Sequence, residues 1–211
     1  MKNKIIIYIF GINILAFGIV LNTKCNLGVS AFTSFYYALS KIEHISLGTA
    51  SIILYLILVI LEAILMKKFT LQIILQIPFS FVFGFITDIY NNLIVISIPN
   101  LFVAVIVLII AIACVSLGAY LTVNSNMIVN PVDGSVKTLA TVTNKPFSFV
   151  KNYFDITMVI ITVCFCLALK QPIYGIGIGT IISAVLNGRF VYIYETLLQN
   201  KLFKSNEVVA D

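Results

Sequence analysis

Six stretches of this chain are apolar for roughly twenty residues apiece, the length a helix needs to cross the hydrocarbon of a bilayer. They lie at about 5–23, 47–66, 70–90, 99–122, 150–169 and 173–196. Of 211 residues 61% are hydrophobic and 10% charged, which leaves no stretch able to build a separate soluble domain. Helices satisfy their own backbone in lipid, so the chain reads as an all-α polytopic membrane protein with about six transmembrane helices.

Two shorter segments break this pattern. Residues 27–42 separate the first and second apolar runs, and residues 129–142 separate the fourth and fifth. Each is too short and too polar for a comfortable crossing and reads as a re-entrant or interrupted half-helix, which is tolerated at membrane depth only when shielded by protein. The polar stretch that leads into the second break and opens it reads Asn124-Ser-Asn-Met-Ile-Val-Asn-Pro-Val-Asp-Gly134. Proline suits the first helical position, so a helix is expected from about Asn130, with Asp133 and Lys137 one turn apart on one face.

The first break is a near-copy of the second, one hundred residues earlier. Residues 17–60 align without a gap onto 117–160 with seven identities in 44 positions, among them Gly18 with Gly118, Asn26 with Asn126 and Leu39 with Leu139. The shared order of features carries more weight than the identities: an apolar run ending in Gly-x-x-Leu, an Asn-containing break, a short amphipathic piece, another apolar run. The expected organisation is a first repeat over 1–98, a second over 99–204 and a flexible cytoplasmic tail at 205–211. A weaker echo pairs Gly84–Tyr90 with Gly188–Tyr194.

Charge tests this arrangement. With six crossings, Lys2, Lys4, Lys67, Lys68, Lys137, Lys145, Lys151, Lys201 and Lys204 share the side of the termini, against Lys24, Lys41 and Lys170 opposite. That bias puts both termini in the cytoplasm of a bacterial cell membrane. Each repeat then crosses three times, so the two are inverted, a common route to alternating access. The formal charge of +5 sits at helix ends and gives no reason to expect nucleic acid.

Ionisable residues at membrane depth cost about 2.5–3.5 kcal/mol each when uncompensated, so they are expected to face a cavity or one another. Asp133, Asp155 and Arg189 fall in the same half of the bilayer, either as a structural ion pair or as a solute-lining set. Asp88 lies at the outer end of the third span, and Glu62, near the end of the second, is expected only to reach the interface.

Several other chemistries are disfavoured. Cys25, Cys114, Cys164 and Cys166 match neither a disulfide framework nor metal-ligand spacing, and His44 is the only histidine. The stretch Tyr174-Gly-Ile-Gly-Ile-Gly-Thr180 lacks the Lys-Ser/Thr of a phosphate loop and reads as close helix packing, with Thr180 bonding across helices or to a ligand. Lys24 before Cys25 argues against a lipoprotein box, and the apolar run through Leu21 favours an uncleaved first helix. Without a Ser/His/Asp set, a histidine metal site or a nucleotide loop, no enzymatic activity, cofactor or metal is expected.

Asn130-Pro-Val-Asp133, Phe147-Ser-Phe149, Asp155, Gly177-Ile-Gly-Thr180 and Gly188 together resemble the YczE/YitT-like family of bacterial membrane proteins, whose members show an Asp-Pro-aromatic-Asp segment followed by Gly-x-Gly-Thr. Leu27-Gly-Val-Ser30 and Leu47-Gly-Thr49 extend the likeness into the first half. Asn130 stands where that family often has Asp, Val132 where it has an aromatic, Ser183 where Asn is frequent and Tyr192 where a closing Asp is found, and Ala31-Phe-Thr33 replaces the motif in the first half. The resemblance implies an integral membrane protein with a suspected transport role and no established substrate.

The function expected is a small-solute transporter or permease with a midplane site between the repeats. Asn26, Ser30, Asn126, Asn130 and Asp133 would line it, with Lys137, Asp155, Thr180 and Arg189 close by. The alternatives are a non-transporting membrane accessory protein and a substrate-binding subunit of a multi-component importer. The partners expected are the lipid bilayer, a small polar solute and, in one arrangement, a second copy in a homodimer.

Overall fold

The structure, a computed structural model, describes residues 2–198. Among them are eight helices and no strand: α1 (Lys2–Lys24), α2 (Ala31–Ile42), α3 (Leu47–Met66), α4 (Leu71–Leu93), α5 (Leu101–Asn124), α6 (Pro131–Thr143), α7 (Phe147–Ala168) and α8 (Ile178–Leu198). All but α2 and α6 are long and apolar enough to cross a membrane. At 1.5 Å per residue, the 12 residues of α2 and 13 of α6 reach roughly 18–20 Å, well short of a hydrocarbon core of about 30 Å. The all-α multi-pass fold expected from the sequence is therefore observed, and the tail expected at 205–211 lies outside the described residues.

Local chemistry sets the helix starts. Asn100 Oδ1 accepts the Val103 N–H at 3.0 Å, and Asn130 Oδ1 accepts the Val132 N–H at 3.0 Å beside Pro131. Ser46 caps α3, and Asp88 reaches over from α4 to reinforce it, accepting the Gly48 N–H at 2.7 Å and the Ser46 hydroxyl at 2.6 Å. A carboxylate suits this positive helix end, so Asp88 holds the α3–α4 pair together. The last helix begins at Ile178, five residues later than the apolar run, because Pro172 and Gly175, the latter at φ +79°, do not continue a helix.

At the centre α1 crosses α5 backbone to backbone. A Cβ on Gly18 would lie 2.7 Å from the Val115 nitrogen, and one on Gly118 would lie 2.6 Å from the Leu15 nitrogen, so neither position has room for a side chain. Gly11 meets Leu121 and Thr122 while Gly18 meets Ala111 and Val115, so the two helices run in opposite senses. α4 lies against α1, and α8 against α5, where the Ser116 hydroxyl meets Asn187 Oδ1 at 3.1 Å and the Tyr194 hydroxyl donates to the Ala113 carbonyl at 3.2 Å.

The two short helices pack inside this frame, each against both α3 and α7. α6 ascends α3 in the same sense, with Ser135 at Leu58 and Thr138 at Glu62. α2 ascends α7 likewise, with Phe32 at Lys151 and Phe35 at Phe165. The order long, short, long, long thus occurs twice with similar neighbours. The match fails at one place: α3 packs closely along α4 through Gly48 and Gly84, whereas α7 and α8 share no comparable contact and Gly188 faces open space. The echo between Gly84 and Gly188 has no counterpart in packing.

Candidate functional site

The first turns of α2 and α6 contribute to one polar focus between α3 and α7. On α2, Ser30 Oγ lies 2.8 Å from Thr33 Oγ1, which also accepts the Tyr36 hydroxyl at 3.2 Å. On α6, Asn130 caps the helix and half-buried Asp133 stands in its first turn. α3 supplies Tyr55, fully buried, its ring edge-on to Tyr36 at 6.5 Å. The Tyr55 hydroxyl is beside the Asn130 amide and in the field of Asp133, but falls outside hydrogen-bond geometry. α7 supplies Lys151 and Asp155, paired at 2.9 Å with side chains 24% and 27% exposed. The Lys151 ammonium also lies over Phe32 at 5.3 Å and Phe154 at 5.7 Å.

Electrostatics tie the focus together. Asp133 sits on a helix that does not span, and burial pushes its carboxyl above the ordinary carboxylate range; Lys151 pulls it down and Asp155 pushes it up. The N-terminal ends of α2 and α6 add partial positive charge. Hydroxyls, an amide, two carboxylates and one ammonium provide donors and acceptors for a polar molecule, with aromatic rings at their back.

Four of the expected site residues are brought together: Ser30, Asn130, Asp133 and Asp155. The others are placed differently. Asn26 and Asn126 are exposed in the connections before α2 and α6, with left-handed φ of 56° and 54°, where they shape turns. Lys137 is exposed on α6 and makes no ion pair with Asp133, because Asp133 turns inward while Lys137 turns out. Arg189 is exposed on α8; Lys151, one turn before Asp155 on its own helix, takes the place expected for it, and theirs is the only ion pair among the described residues.

Thr180 is buried at the start of α8, but its bonds stay within its own segment: it accepts the Gly177 N–H at 3.2 Å and donates to the Gly175 carbonyl at 3.3 Å. The glycine-rich stretch is a close-packed seam, as expected, but one of loop on loop. The Val29 N–H donates to the Gly175 carbonyl at 2.8 Å, and the Gly179 N–H donates to the Leu27 carbonyl at 2.6 Å. A cavity of about 380 Å³ lies beside this seam, lined by Asn22, Asn26, Tyr37, Tyr174 and the glycine backbone.

Sequence reasoning missed Thr33, Tyr36, Tyr55 and Lys151. At the hundred-residue offset Thr33 aligns with Asp133 and Tyr55 with Asp155, so the alignment held the signal for two of them. It also misjudged Glu62. That side chain is only 7% exposed and turns inward, accepting hydrogen bonds from Gln76 Nε2 at 3.0 Å and Thr138 Oγ1 at 3.2 Å.

The family of unknown function DUF6198 matches residues 2–196 of the chain. The uncharacterized protein YyaS of Bacillus subtilis (strain 168) is 24% identical over 205 residues, covering 96% of this chain and 98% of that protein. No solved structure matches.

Proposed function

The chain belongs to the DUF6198 family, and we propose that it carries a small polar solute across a bacterial cell membrane, binding it between the first turns of α2 and α6. One observation carries this reading: inside a bundle of six apolar spans, two half-length helices present their N-terminal turns to a shared set of polar and charged side chains. Polar groups are expensive at membrane depth and fit best where a polar ligand or water meets them.

The repeat organisation belongs to the same proposal. Two units, 1–98 and 99–204, inverted with respect to each other, account for the opposite senses of α1 and α5 and for the reciprocal packing of α2 on α7 and α6 on α3. Cytoplasmic termini follow from the lysine bias. The resemblance to YczE/YitT-like proteins points the same way. In the assigned roles, Ser30, Thr33 and Asn130 hydrogen-bond the solute, Asp133 and Asp155 with Lys151 set the local charge, and Tyr36 and Tyr55 form the wall.

The test is uptake of radiolabelled polar solutes into proteoliposomes, with and without a proton or sodium gradient, using wild type, Asn130→Ala and Asp133→Asn. Uptake by the wild type that falls at least about tenfold in both variants, with both correctly inserted, supports the reading. Uptake unchanged in both removes the site.

A further inference from the structure

We infer that Glu62 is an intramembrane proton-binding group that supplies the energetic coupling of the carrier. The coupling rests on the transport reading above; the binding of the proton does not. Glu62 stands in α3, fifteen residues past the start of a twenty-residue span, and is 7% exposed. An ionised carboxylate in such a place is costly unless a cation pairs with it, and among the described residues none does.

Among the described residues no surrounding element presents a counter-charge: on α2, which also packs against α3, the one charged residue is Lys41, exposed at the end of that helix. α4 presents only Gln76, its one charged residue, Asp88, being engaged at the far end of the helix with Ser46 and Gly48. On α6 the neighbour is Thr138; Asp133 feels Lys151 and Asp155, and Lys137 is exposed. Lys67 and Lys68, beyond the end of α3, are exposed as well. The carboxyl is thus enclosed by one amide and one hydroxyl.

Those partners suit either protonation state. An amide donates through Nε2 to a carboxylate and, turned over, accepts through Oε1 from a carboxylic acid, and a hydroxyl likewise donates or accepts. Gln76 is 2% exposed, and with Nε2 given to Glu62 its Oε1 has no hydrogen-bond partner. That oxygen belongs to the amide already at the carboxyl and is the acceptor the protonated form calls for. Gly134 makes the arrangement possible: a Cβ there would lie 2.7 Å from both Gln76 Nε2 and Glu62 Oε2.

The other half of the chain supplies a comparison. One hundred residues on, Thr162 takes the place of Glu62, and Ser34 that of Gly134; their hydroxyls meet at 2.9 Å. A neutral hydroxyl pair therefore suffices to join a short helix to a long one at this spot. The carboxyl adds the ability to take one proton from water, forming an O–H bond, and to return it, with no other bond made or broken.

Infrared difference spectra of the full-length protein in lipid nanodiscs, between alkaline and acid buffer, read this directly. The expected result is a carboxylic C=O band of a buried acid that shifts when the protein is grown on ¹³C-glutamate, disappears in Glu62→Gln and persists in Asp133→Asn. The isotope shift needs no change at Glu62, so it stands even if Glu62→Gln misfolds: Glu43 and Glu195 are exposed and do not give a buried-acid band, and Glu207, which lies outside the described residues, is set aside by repeating the labelling in Glu207→Gln. Absence of an isotope-sensitive band at every pH, or its survival unchanged in Glu62→Gln, overturns the inference. In proteoliposomes, Glu62→Gln is expected to keep solute exchange and to lose at least about tenfold in accumulation driven by a pH gradient; gradient-driven accumulation equal to wild type overturns the coupling. A wild type that moves no tested solute counts against the transport reading alone, since the spectra still decide the proton.

Discussion

Asn26 and Asn126, one hundred residues apart, hold the same left-handed backbone, φ 56° and 54°, two residues past the ends of α1 and α5. His44 and Asn144 repeat the relationship at 53° and 52° after α2 and α6. Asparagine enters this region more readily than most residues with a β-carbon, so the recurrence of Asn26 and Asn126 has a conformational cause that their exposure supports.

Substitution separates a turn-shaping role for these asparagines from a solute-lining one. Asn26→Gly and Asn126→Gly should leave the melting temperature in detergent nearly unchanged, whereas valine at either position should cost roughly 1–2 kcal/mol. Solute binding that vanishes in the glycine variants at unchanged melting temperature would return the side chains to the site.

The α1–α5 crossing should tolerate no side chain at either of its two facing glycines. A methyl on Gly118 would meet the Leu15 backbone at 2.6 Å, and no flexible side chain lies there to move aside. Gly118→Ala and Gly18→Ala are expected to destabilise by about 1–3 kcal/mol, the range for overpacking. By contrast Gly188→Ala, with nothing within 4 Å, should be neutral or slightly stabilising. Comparing monodisperse yield and thermal melting of the three variants checks the ranking.

The positions of the spans were legible because about twenty apolar residues in a row leave few alternatives, and the predicted 47–66 coincides with α3. The start of α6 was legible from Asn130-Pro131. What escaped is set by rotation about a helix axis. Glu62 and Lys151 lie near span ends, where side chains usually reach for water; only the meeting of α3, α4 and α6 turns Glu62 inward, and no linear pattern encodes that. Arg189 illustrates the converse. A charge within an apolar run calls for an internal partner, but α8 contacts the bundle mainly through α5 and leaves Arg189 on its open side.

The burial of Asp133 gives stability a definite pH dependence. Its folded-state pKa is raised above the unfolded value, so the folded form holds the proton more tightly. The contribution is fully present below the unfolded pKa of about 3.9 and is lost as pH rises through the folded value. Asp133→Asn, uncharged throughout, should therefore melt higher than wild type at neutral pH, with the difference shrinking as the buffer approaches about pH 4. A difference that instead grows toward acid would mean that Lys151 outweighs burial.

Topology follows from labelling single cysteines in a background lacking the four native ones. Cysteines at 67 and 145 are expected to react with an impermeant maleimide only from the cytoplasm, and one at 41 only from outside. Residues 41, 67 and 145 are all exposed, so accessibility reports sidedness. Reaction at 67 from outside intact cells is incompatible with six crossings and cytoplasmic termini.

Lys151 and Asp155 offer the sharpest separation of site from scaffold. They are one turn apart and about a quarter exposed, a setting in which a helix ion pair contributes only about 0.3–0.5 kcal/mol. Lys151→Met should thus shift the melting temperature little, the more so because methionine keeps apolar contact with Phe32 and Phe154. The same change removes the ammonium that pulls the Asp133 carboxyl down and leaves the repulsion between Asp133 and Asp155 uncompensated. If the focus binds solute, affinity in Lys151→Met should fall at least about tenfold and become more dependent on pH, and exchanging the charges in Lys151→Asp/Asp155→Lys should keep the ion pair and the fold without restoring affinity. Equal affinity in wild type and Lys151→Met, measured by calorimetry on correctly inserted protein, would leave the pair a minor helix contact and place the solute elsewhere.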